Sequence, residues 1–196
     1  AYLDALYCTE AALEKAHPHL SMRQFVDNTQ KIDVPGLRFD HGVRHWSLHD
    51  PKTDTIRSIE LHHYLIREFH STFLRGKNAN PHFVNWFQKH SKTSDLVAYL
   101  GHAGLGKSVA HLSRLSQFAP NRSYIFMING CNTASYYNPT EARAAQFPTL
   151  QDLIDQANGR PSSERLDVIL NSRMPYFVDL PLSFSQTVSG LTQGRP

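Results

Sequence analysis

Residues 96–137 read LVAYLGHAGLGKSVAHLSRLSQFAPNRSYIFMINGCNTASYY, and this stretch decides the fold class. It contains two short apolar runs, Leu96–Leu100 and Tyr124–Ile128, each of which ends abruptly in small residues. Apolar runs of this length are typical of strands buried on both faces of a parallel sheet. The helix-like segment Val109–Phe118 lies between them, in the alternating order that produces a parallel α/β sheet. A right-handed crossover then places the two strands in one sheet, with the helix over one face.

A histidine and a cysteine follow these two runs. Gly101-His102 comes after the first run, and Asn129-Gly130-Cys131 comes after the second. Open α/β sheets place their sites at the carboxyl ends of strands, so both side chains are expected at one edge. A thiol is nucleophilic as its thiolate, and a nearby imidazole activates it. The pattern predicts Cys131 as nucleophile and His102 as general base. The alternative is a small buried cysteine and a hydrogen-bonded turn histidine.

Polar residues around the cysteine suggest the rest of such a site. Asn132, Thr133 and Ser135 have capping chemistry, so a helix is expected to begin there. Backbone amides near Cys131 and Gly104 are candidates to hold a developing oxyanion. The residues assigned to substrate contact are Asn129, Asn132, Tyr136 and Arg173. Two of these have structural alternatives: the tyrosine as a wall of the core, and the arginine as half of an internal ion pair.

This arrangement resembles the caspase-like cysteine peptidases, the group that includes caspases, clostripain, gingipains and separase. Their fingerprint is an apolar strand ending in His-Gly, then a second apolar strand ending in a small residue and the nucleophilic Cys. The short interval between His102 and Cys131 is most like that of separase. The resemblance covers roughly residues 96–184. It implies a cysteine endopeptidase acting on a protein or peptide substrate without a cofactor, and an α/β fold with a mostly parallel central sheet in a three-layer sandwich flanked by helices.

The chain departs from the family pattern at two positions. The family usually has Gly directly after its His, whereas Ala103 stands here before Gly104. Several members that cleave after Arg or Lys carry Asp two residues before the Cys, where this chain has Asn129. The first departure leaves open a catalytically inactive binding or regulatory domain of the same fold. The second gives no basis for expecting cleavage after basic residues.

The same stretch also satisfies a nucleotide-binding pattern. Residues 101–108, GHAGLGKS, match G-x-x-x-x-G-K-[ST], with a strand before them and a helix after them. Gly106, Lys107 and Ser108 would then bind phosphate. A phosphate-loop enzyme also needs a magnesium-holding carboxylate at the end of a later strand. The run Tyr124–Ile128 is followed by Asn129, and Asp167 starts the run Leu166–Leu170, so that carboxylate is missing from the pattern.

The flanking sequence predicts mostly helices. The predicted helices cover residues 2–16, 21–26, 64–73, 81–87, 141–145, 150–157 and 184–191. A hairpin is expected from Trp46–Leu48 to Ile56–Leu61, turned at Asp50-Pro51-Lys52, within an otherwise loop-like region from residue 31 to 54. With no linker longer than about ten residues, the chain is expected to form one α/β domain, with 1–95 as scaffold and 96–196 bearing the site.

Composition restricts the partners. The chain has 196 residues, 40% of them hydrophobic, and a formal net charge of +3, which indicates no strong attraction to nucleic acid or to membranes. Two cysteines cannot build a disulfide framework. His41, His45 and His49 recur every fourth residue, but no cysteine or well-placed carboxylate completes a tetrahedral set, so no metal site is expected. The first residue is Ala1 and not Met, which suggests either an exported protein after signal removal or a processed fragment of a longer chain, and export is the favoured interpretation.

Overall fold

The computed structural model describes residues 2–18, 21–25, 30–34, 37–66, 80–102, 107–119, 122–136, 150–159, 165–172 and 179–193. They form two compact units, one from Ala1–His70 with Phe177–Pro196 and the other from Ser71–Tyr176. The first contains an antiparallel sheet and the second a parallel sheet, so the fold is α/β as predicted.

The first unit joins both ends of the chain. Its elements are helix α1 (Tyr2–Ala16), strands β1 (Ser21–Phe25), β2 (Gln30–Val34), β3 (Leu37–Asp50) and β4 (Thr55–Ile66), and helix α5 (Leu180–Thr192). Strand β3 pairs antiparallel with each of the other three strands. Helices α1 and α5 pack on each other, and His17 Nε2 lies 3.0 Å from Thr192 Oγ1. Leu13, in α1, is completely buried.

The long strand β3 lies within residues 31–54, which the sequence analysis predicted to be mostly loop. Its buried face consists of Gly42, Arg44, Trp46 and Leu48, and His45 and His49 alternate with these on the more exposed face. The Arg44 guanidinium lies 3.5 Å from Glu10 Oε1 on α1, and the Trp46 indole donates to the same oxygen at 3.2 Å. A charged residue on the inner face and histidines on the outer face concealed the two-residue period, and the loop prediction was wrong.

Two further predictions in this unit are settled by the backbone. The hairpin is confirmed, because β3 and β4 pair around a turn at residues 51–54, where Lys52 N donates to Asp50 Oδ1 at 2.9 Å. The helix expected over residues 21–26 is wrong, because Ser21–Phe25 pairs with His45–His49 of β3. Of the helix expected at 64–73, residues 64–66 belong to β4 and the remainder lies outside the described residues.

The second unit is built as the sequence predicted. Helix α2 (Pro81–Thr93) precedes strand β5 (Leu96–Leu100), helix α3 (Lys107–Leu115), strand β6 (Tyr124–Asn129), helix α4 (Leu150–Asn158) and strand β7 (Leu166–Leu170). The strands are parallel in the order β5-β6-β7. Both crossovers step in the same direction, and right-handed connections then put α3 and α4 on the same face, where they contact each other.

The core of this unit centres on β6, which pairs with β5 on one side and with β7 on the other. Phe126 and Ile128 are fully buried, and Met127 on the other face is 2% exposed. Val109 and Leu112 of α3 and Leu153 and Ile154 of α4 are also buried. The apolar run that predicted β6 therefore reflects burial on both faces. The short helix predicted at residues 141–145 lies outside the described residues.

Candidate functional site

The two predicted dyad residues follow the last pair of the parallel ladder. Leu100 of β5 pairs with Asn129 of β6, and Gly101 N donates to Asn129 O at 3.0 Å, which extends the ladder one residue beyond the strand. His102 follows Leu100 by two residues, and Cys131 follows Asn129 by two residues. His102 is exposed and Cys131 is partly exposed, so both are within reach of solvent. Both residues therefore follow the carboxyl ends of adjacent strands, as the sequence predicted.

Cys131 lies at the apex of a sharp turn. The chain leaves β6 through buried Gly130, passes Cys131, and reverses at Asn132, whose φ of 48° is in the left-handed region. Asparagine tolerates this conformation better than most residues. The Ser135 hydroxyl donates to Asn132 O at 2.9 Å and fixes the far side of the turn.

The helix predicted after the cysteine is short. It is a four-residue 3-10 helix, Thr133–Tyr136. A helix does begin at Thr133, where the Thr133 and Ser135 hydroxyls lie within hydrogen-bond distance of the backbone carbonyls of Ile128 and Asn132, but one turn carries only a small dipole. Stabilisation of negative charge near Cys131 therefore depends on local amides and not on a long helix.

Asn171, the first residue after β7, holds the turn from the neighbouring strand. Its side-chain oxygen accepts from Gly130 N at 3.0 Å, and its side-chain nitrogen donates to Gly130 O. Its backbone carbonyl accepts from Ala134 N at 3.0 Å. Both backbone groups of the residue preceding Cys131 are thus bound by one amide side chain.

Thr133 adds further hydrogen bonds that hold the turn at Cys131. It is fully buried, and its hydroxyl lies 2.8 Å from Ile128 O and 2.7 Å from Asn171 Oδ1, with one proton to donate to either. The same oxygen accepts from Asn171 N at 3.1 Å. These bonds connect the end of β6, the turn and the end of β7, so the position of Cys131 is set by two strands.

Tyr99, in β5, contacts the backbone of His102, the second residue of the predicted pair. Its hydroxyl donates to His102 O at 2.7 Å and is hydrogen-bonded to the Ser108 side chain on α3. Burial raises the pKa of Tyr99 to about 12, and the Cys131 thiolate charge adds to the rise while the Ser108 bond opposes it. The hydroxyl therefore stays protonated, and remains a donor, through the whole neutral range.

Gly101 leaves the space that Tyr99 occupies. A Cβ at position 101 would stand 2.9 Å from the Tyr99 hydroxyl oxygen and 3.1 Å from its ring carbon Cζ. The glycine here is needed for close approach of a side chain to the backbone. The tyrosine and the glycine together define how the chain passes from β5 to His102.

The other predicted residues fall in different settings. Asn129 is 5% exposed, Asn132 is exposed, and Tyr136 is the last residue of the 3-10 helix. Lys107 is exposed at the first position of α3, whereas Ser108 is buried and bonded to Tyr99. Three predicted site residues lie outside the described residues: Gly104, Gly106 and Arg173.

Metal and disulfide chemistry find no support in the described part of the chain. Within it, no group of three or more His, Cys, Asp or Glu side chains is placed to hold a metal ion. Cys8 and Cys131 are both free thiols. Among the same residues, no helix combines the length and the apolar character that crossing a membrane requires.

Sequence reasoning assigned no role at the site to Tyr99 or Asn171. For Asn171 the signal was its place directly after the third apolar run, beside the run that bears the cysteine. Tyr99 gave no such signal, because a tyrosine inside an apolar run is typical of an ordinary strand.

Comparisons of this chain with protein-family models, with curated proteins and with solved structures find no match.

Proposed function

We propose that the chain is a cysteine peptidase of the caspase-like type, with Cys131 as nucleophile and His102 as general base. One observation supports the proposal: Leu100 and Asn129 form the last pair of adjacent parallel strands, and His102 and Cys131 each follow that pair by two residues. Both are open to solvent, and the turn at Cys131 is braced by Asn171 and Thr133. A rigid, accessible nucleophile beside an imidazole is what covalent catalysis requires.

The reaction proceeds in two stages. His102 accepts the Cys131 proton, and the thiolate attacks the peptide carbonyl carbon. The tetrahedral intermediate collapses as the C–N bond breaks, and the imidazolium returns the proton to the amine leaving group. Water, deprotonated by His102, then attacks the thioester, and the C–S bond breaks to release the acid and restore the thiol. Backbone amides of Cys131 and Gly104 are the proposed donors to the oxyanion.

The proposed fold for this activity is the three-layer sandwich of the caspase-like proteins. The parallel order β5-β6-β7 supports the central sheet of that fold, and α3 and α4 would supply one of its two helical layers. The proposal keeps the substrate contacts predicted from the sequence for Asn132, Tyr136 and Arg173. It assigns no cofactor, and the substrate is a peptide or protein whose chain passes the turn at Cys131.

The phosphate-loop alternative has less support. Its Ser108 hydroxyl, which would have to bind magnesium, is buried and bonded to Tyr99. The strand β6 ends at Asn129, and Asp167 is the second residue of β7, so neither strand offers a carboxylate at its carboxyl end.

The test is hydrolysis of a fluorogenic peptide library by the wild-type protein and three variants. We expect cleavage that Cys131→Ala abolishes and that His102→Ala lowers by about 10² to 10⁴-fold, the usual contribution of a general base. Lys107→Ala is the matched control and is expected to retain activity. Absence of cleavage with a reactive, His102-dependent thiol would point to the inactive relative. Loss of activity in Lys107→Ala, with nucleotide binding by the wild type, would favour the phosphate loop.

A further inference from the structure

Tyr99 connects three parts of the candidate site. Its hydroxyl donates to the backbone carbonyl of His102 and bonds the Ser108 side chain, so β5, the segment that bears the base, and α3 meet at one oxygen. The ring reaches this position only because residue 101 is glycine. A strand tyrosine that turns back to hold the backbone three residues later fixes the direction in which the chain leaves the strand.

That direction matters because His102 lies beyond the regular strand pairing, and the Tyr99 hydroxyl holds its backbone carbonyl. The ladder bond from Gly101 N to Asn129 O ends the regular pairing, and His102 is the next residue. Gly130, the residue before Cys131, is held from the end of β7 by Asn171, whereas the backbone carbonyl of His102 is held from β5 by Tyr99. The backbone at or next to each residue of the pair is thus held by a hydrogen bond from a neighbouring strand. The bond near Cys131 comes from the end of β7, and the bond at His102 comes from β5.

We infer that Tyr99 is a positioning residue, whose hydroxyl fixes the His102 backbone so that its imidazole can serve the Cys131 thiol. This inference rests on the proposed function, since it assigns Tyr99 a role in the same pair. Tyr99 also senses the Cys131 charge directly, which raises its pKa, but the role inferred for it is exercised through the His102 backbone. The tyrosine keeps its proton at every pH where the pair would operate, so this hold does not weaken between acid and mildly alkaline conditions.

The test is the rate at which iodoacetamide labels Cys131 as a function of pH, measured with Cys8→Ser present in every variant. Tyr99→Phe keeps the ring and removes only the hydroxyl. We expect the midpoint of the labelling curve to move toward the free-thiol value of about 8.5, and the rate at pH 6.5 to fall about tenfold or more. A displacement of about 1 Å at a reacting group is enough to cause such losses.

Tyr124→Phe is the matched control. The Tyr124 hydroxyl is also held by the backbone, since it donates to Lys92 O at 2.9 Å and accepts from Ala119 N at 2.7 Å, but it lies at the amino end of β6. This variant is expected to lose stability and to keep the wild-type labelling midpoint. A midpoint that moves equally in both variants would show a general loosening of the sheet and would overturn the inference.

Gly101→Ala provides a second route to the same displacement, in case Tyr99→Phe fails to fold. The added methyl would meet the tyrosine oxygen at 2.9 Å, so we expect the same direction of shift. The labelling midpoint of the double variant, Tyr99→Phe with Gly101→Ala, is expected to shift little further than that of either single variant, because the two changes remove the same interaction. Full additivity of the two shifts would contradict the inference.

The outcomes separate the inference from the proposed function. If the wild-type midpoint depends on His102 but is unchanged by Tyr99→Phe, the pair exists and Tyr99 has no positioning role. If the wild-type midpoint equals that of His102→Ala, the pair itself is absent and the role of Tyr99 falls with it.

Discussion

Asn171 binds both backbone groups of Gly130 and also meets the Thr133 hydroxyl, so one side chain satisfies three polar groups beside Cys131. Peptide groups that lose such partners when buried cost about 1 to 3 kcal/mol each. The turn also contains Asn132 at a φ of 48°, which needs support from its surroundings to persist. At the scale of single residues, the cysteine is therefore placed by its neighbours' hydrogen bonds more than by its own.

Asn171→Ala is expected to lower the free energy of unfolding by about 2 to 3 kcal/mol, because Gly130 and Thr133 lose their partners. It is also expected to slow alkylation of Cys131 at neutral pH, since the turn relaxes. Urea denaturation and iodoacetamide labelling measure the two effects.

Asn158→Ala is the control for this change. The Asn158 side chain also bonds two backbone groups, Phe118 N at 2.6 Å and Ile154 O at 2.7 Å, at the end of α4. It should lose stability with no change in labelling. If the two variants label alike, Asn171 has no specific role at the turn.

Helix α3 carries two polar side chains, Ser113 and His111, with buried atoms. Its inner face buries Val109, Leu112 and Ser113, and the Ser113 hydroxyl is satisfied by Val109 O at 3.0 Å. His111 lies on the same helix with its Nε2 atom buried and without a hydrogen-bond partner among the described residues. Burial lowers the pKa of His111, and the neighbouring Arg114 charge lowers that pKa further.

This shift makes α3 sensitive to acid. Below the ordinary histidine pKa of 6.5, the unfolded chain takes up a proton at His111 that the folded chain does not, so the free energy of unfolding falls as pH falls. The slope ends once the pH passes below the folded pKa, and it stays under about 1.4 kcal/mol per pH unit, the limit for one proton.

His111→Leu is expected to remove this component, so that its stability falls less than that of the wild type between about pH 6.5 and 5. Urea denaturation at a series of pH values measures the difference, and exposed His82→Gln is the control. Parallel curves for the wild type and His111→Leu would mean that His111 titrates alike in both states.

The strands of the parallel sheet were predictable from sequence, and those of the antiparallel sheet largely were not. Leu96–Leu100, Tyr124–Asn129 and Leu166–Leu170 are apolar runs, which is the pattern that burial in a parallel sheet imposes. In β3 the inner positions include Arg44, whose charge is compensated by Glu10 on α1, a contact that sequence cannot reveal. Tertiary contact, not local propensity, made Ser21–Phe25 a strand.

The candidate site was predictable to the level of the strand ends. His102 and Cys131 could be placed at one edge because parallel strands end together. The register of the two strands, in which Leu100 pairs with Asn129, required the structure. The contributions of Tyr99 and Asn171 depend on side-chain contacts across the sheet, and no spacing in the sequence encodes them.

At the scale of the whole molecule, the chain divides into two compact units, and the first contains α1 from the amino-terminal part of the chain and α5 from the carboxyl-terminal part. Helix α5 packs on α1, and the Gln193 side chain donates to Ala16 O at 3.0 Å. The residues proposed for catalysis belong to the second unit alone. Units of this kind are candidates for separate cooperative opening.

Leu13→Ala tests that division. The side chain is fully buried, and its truncation is expected to cost about 2 to 5 kcal/mol. Hydrogen exchange should accelerate in α1 and α5 and remain slow in β5–β7. Leu112→Ala, at 1% exposure in α3, is the reciprocal variant and should loosen the parallel sheet instead. Uniform acceleration by either change would indicate one cooperative domain.

The central claim is that Cys131 and His102 form a working pair, and the most direct measurement is the iodoacetamide labelling rate of Cys131 from pH 4 to 9. With Cys8→Ser as background, we predict a midpoint well below the free value of about 8.5, which His102→Ala returns toward that value. An unreactive Cys131, or a midpoint that His102→Ala leaves in place, would contradict the claim.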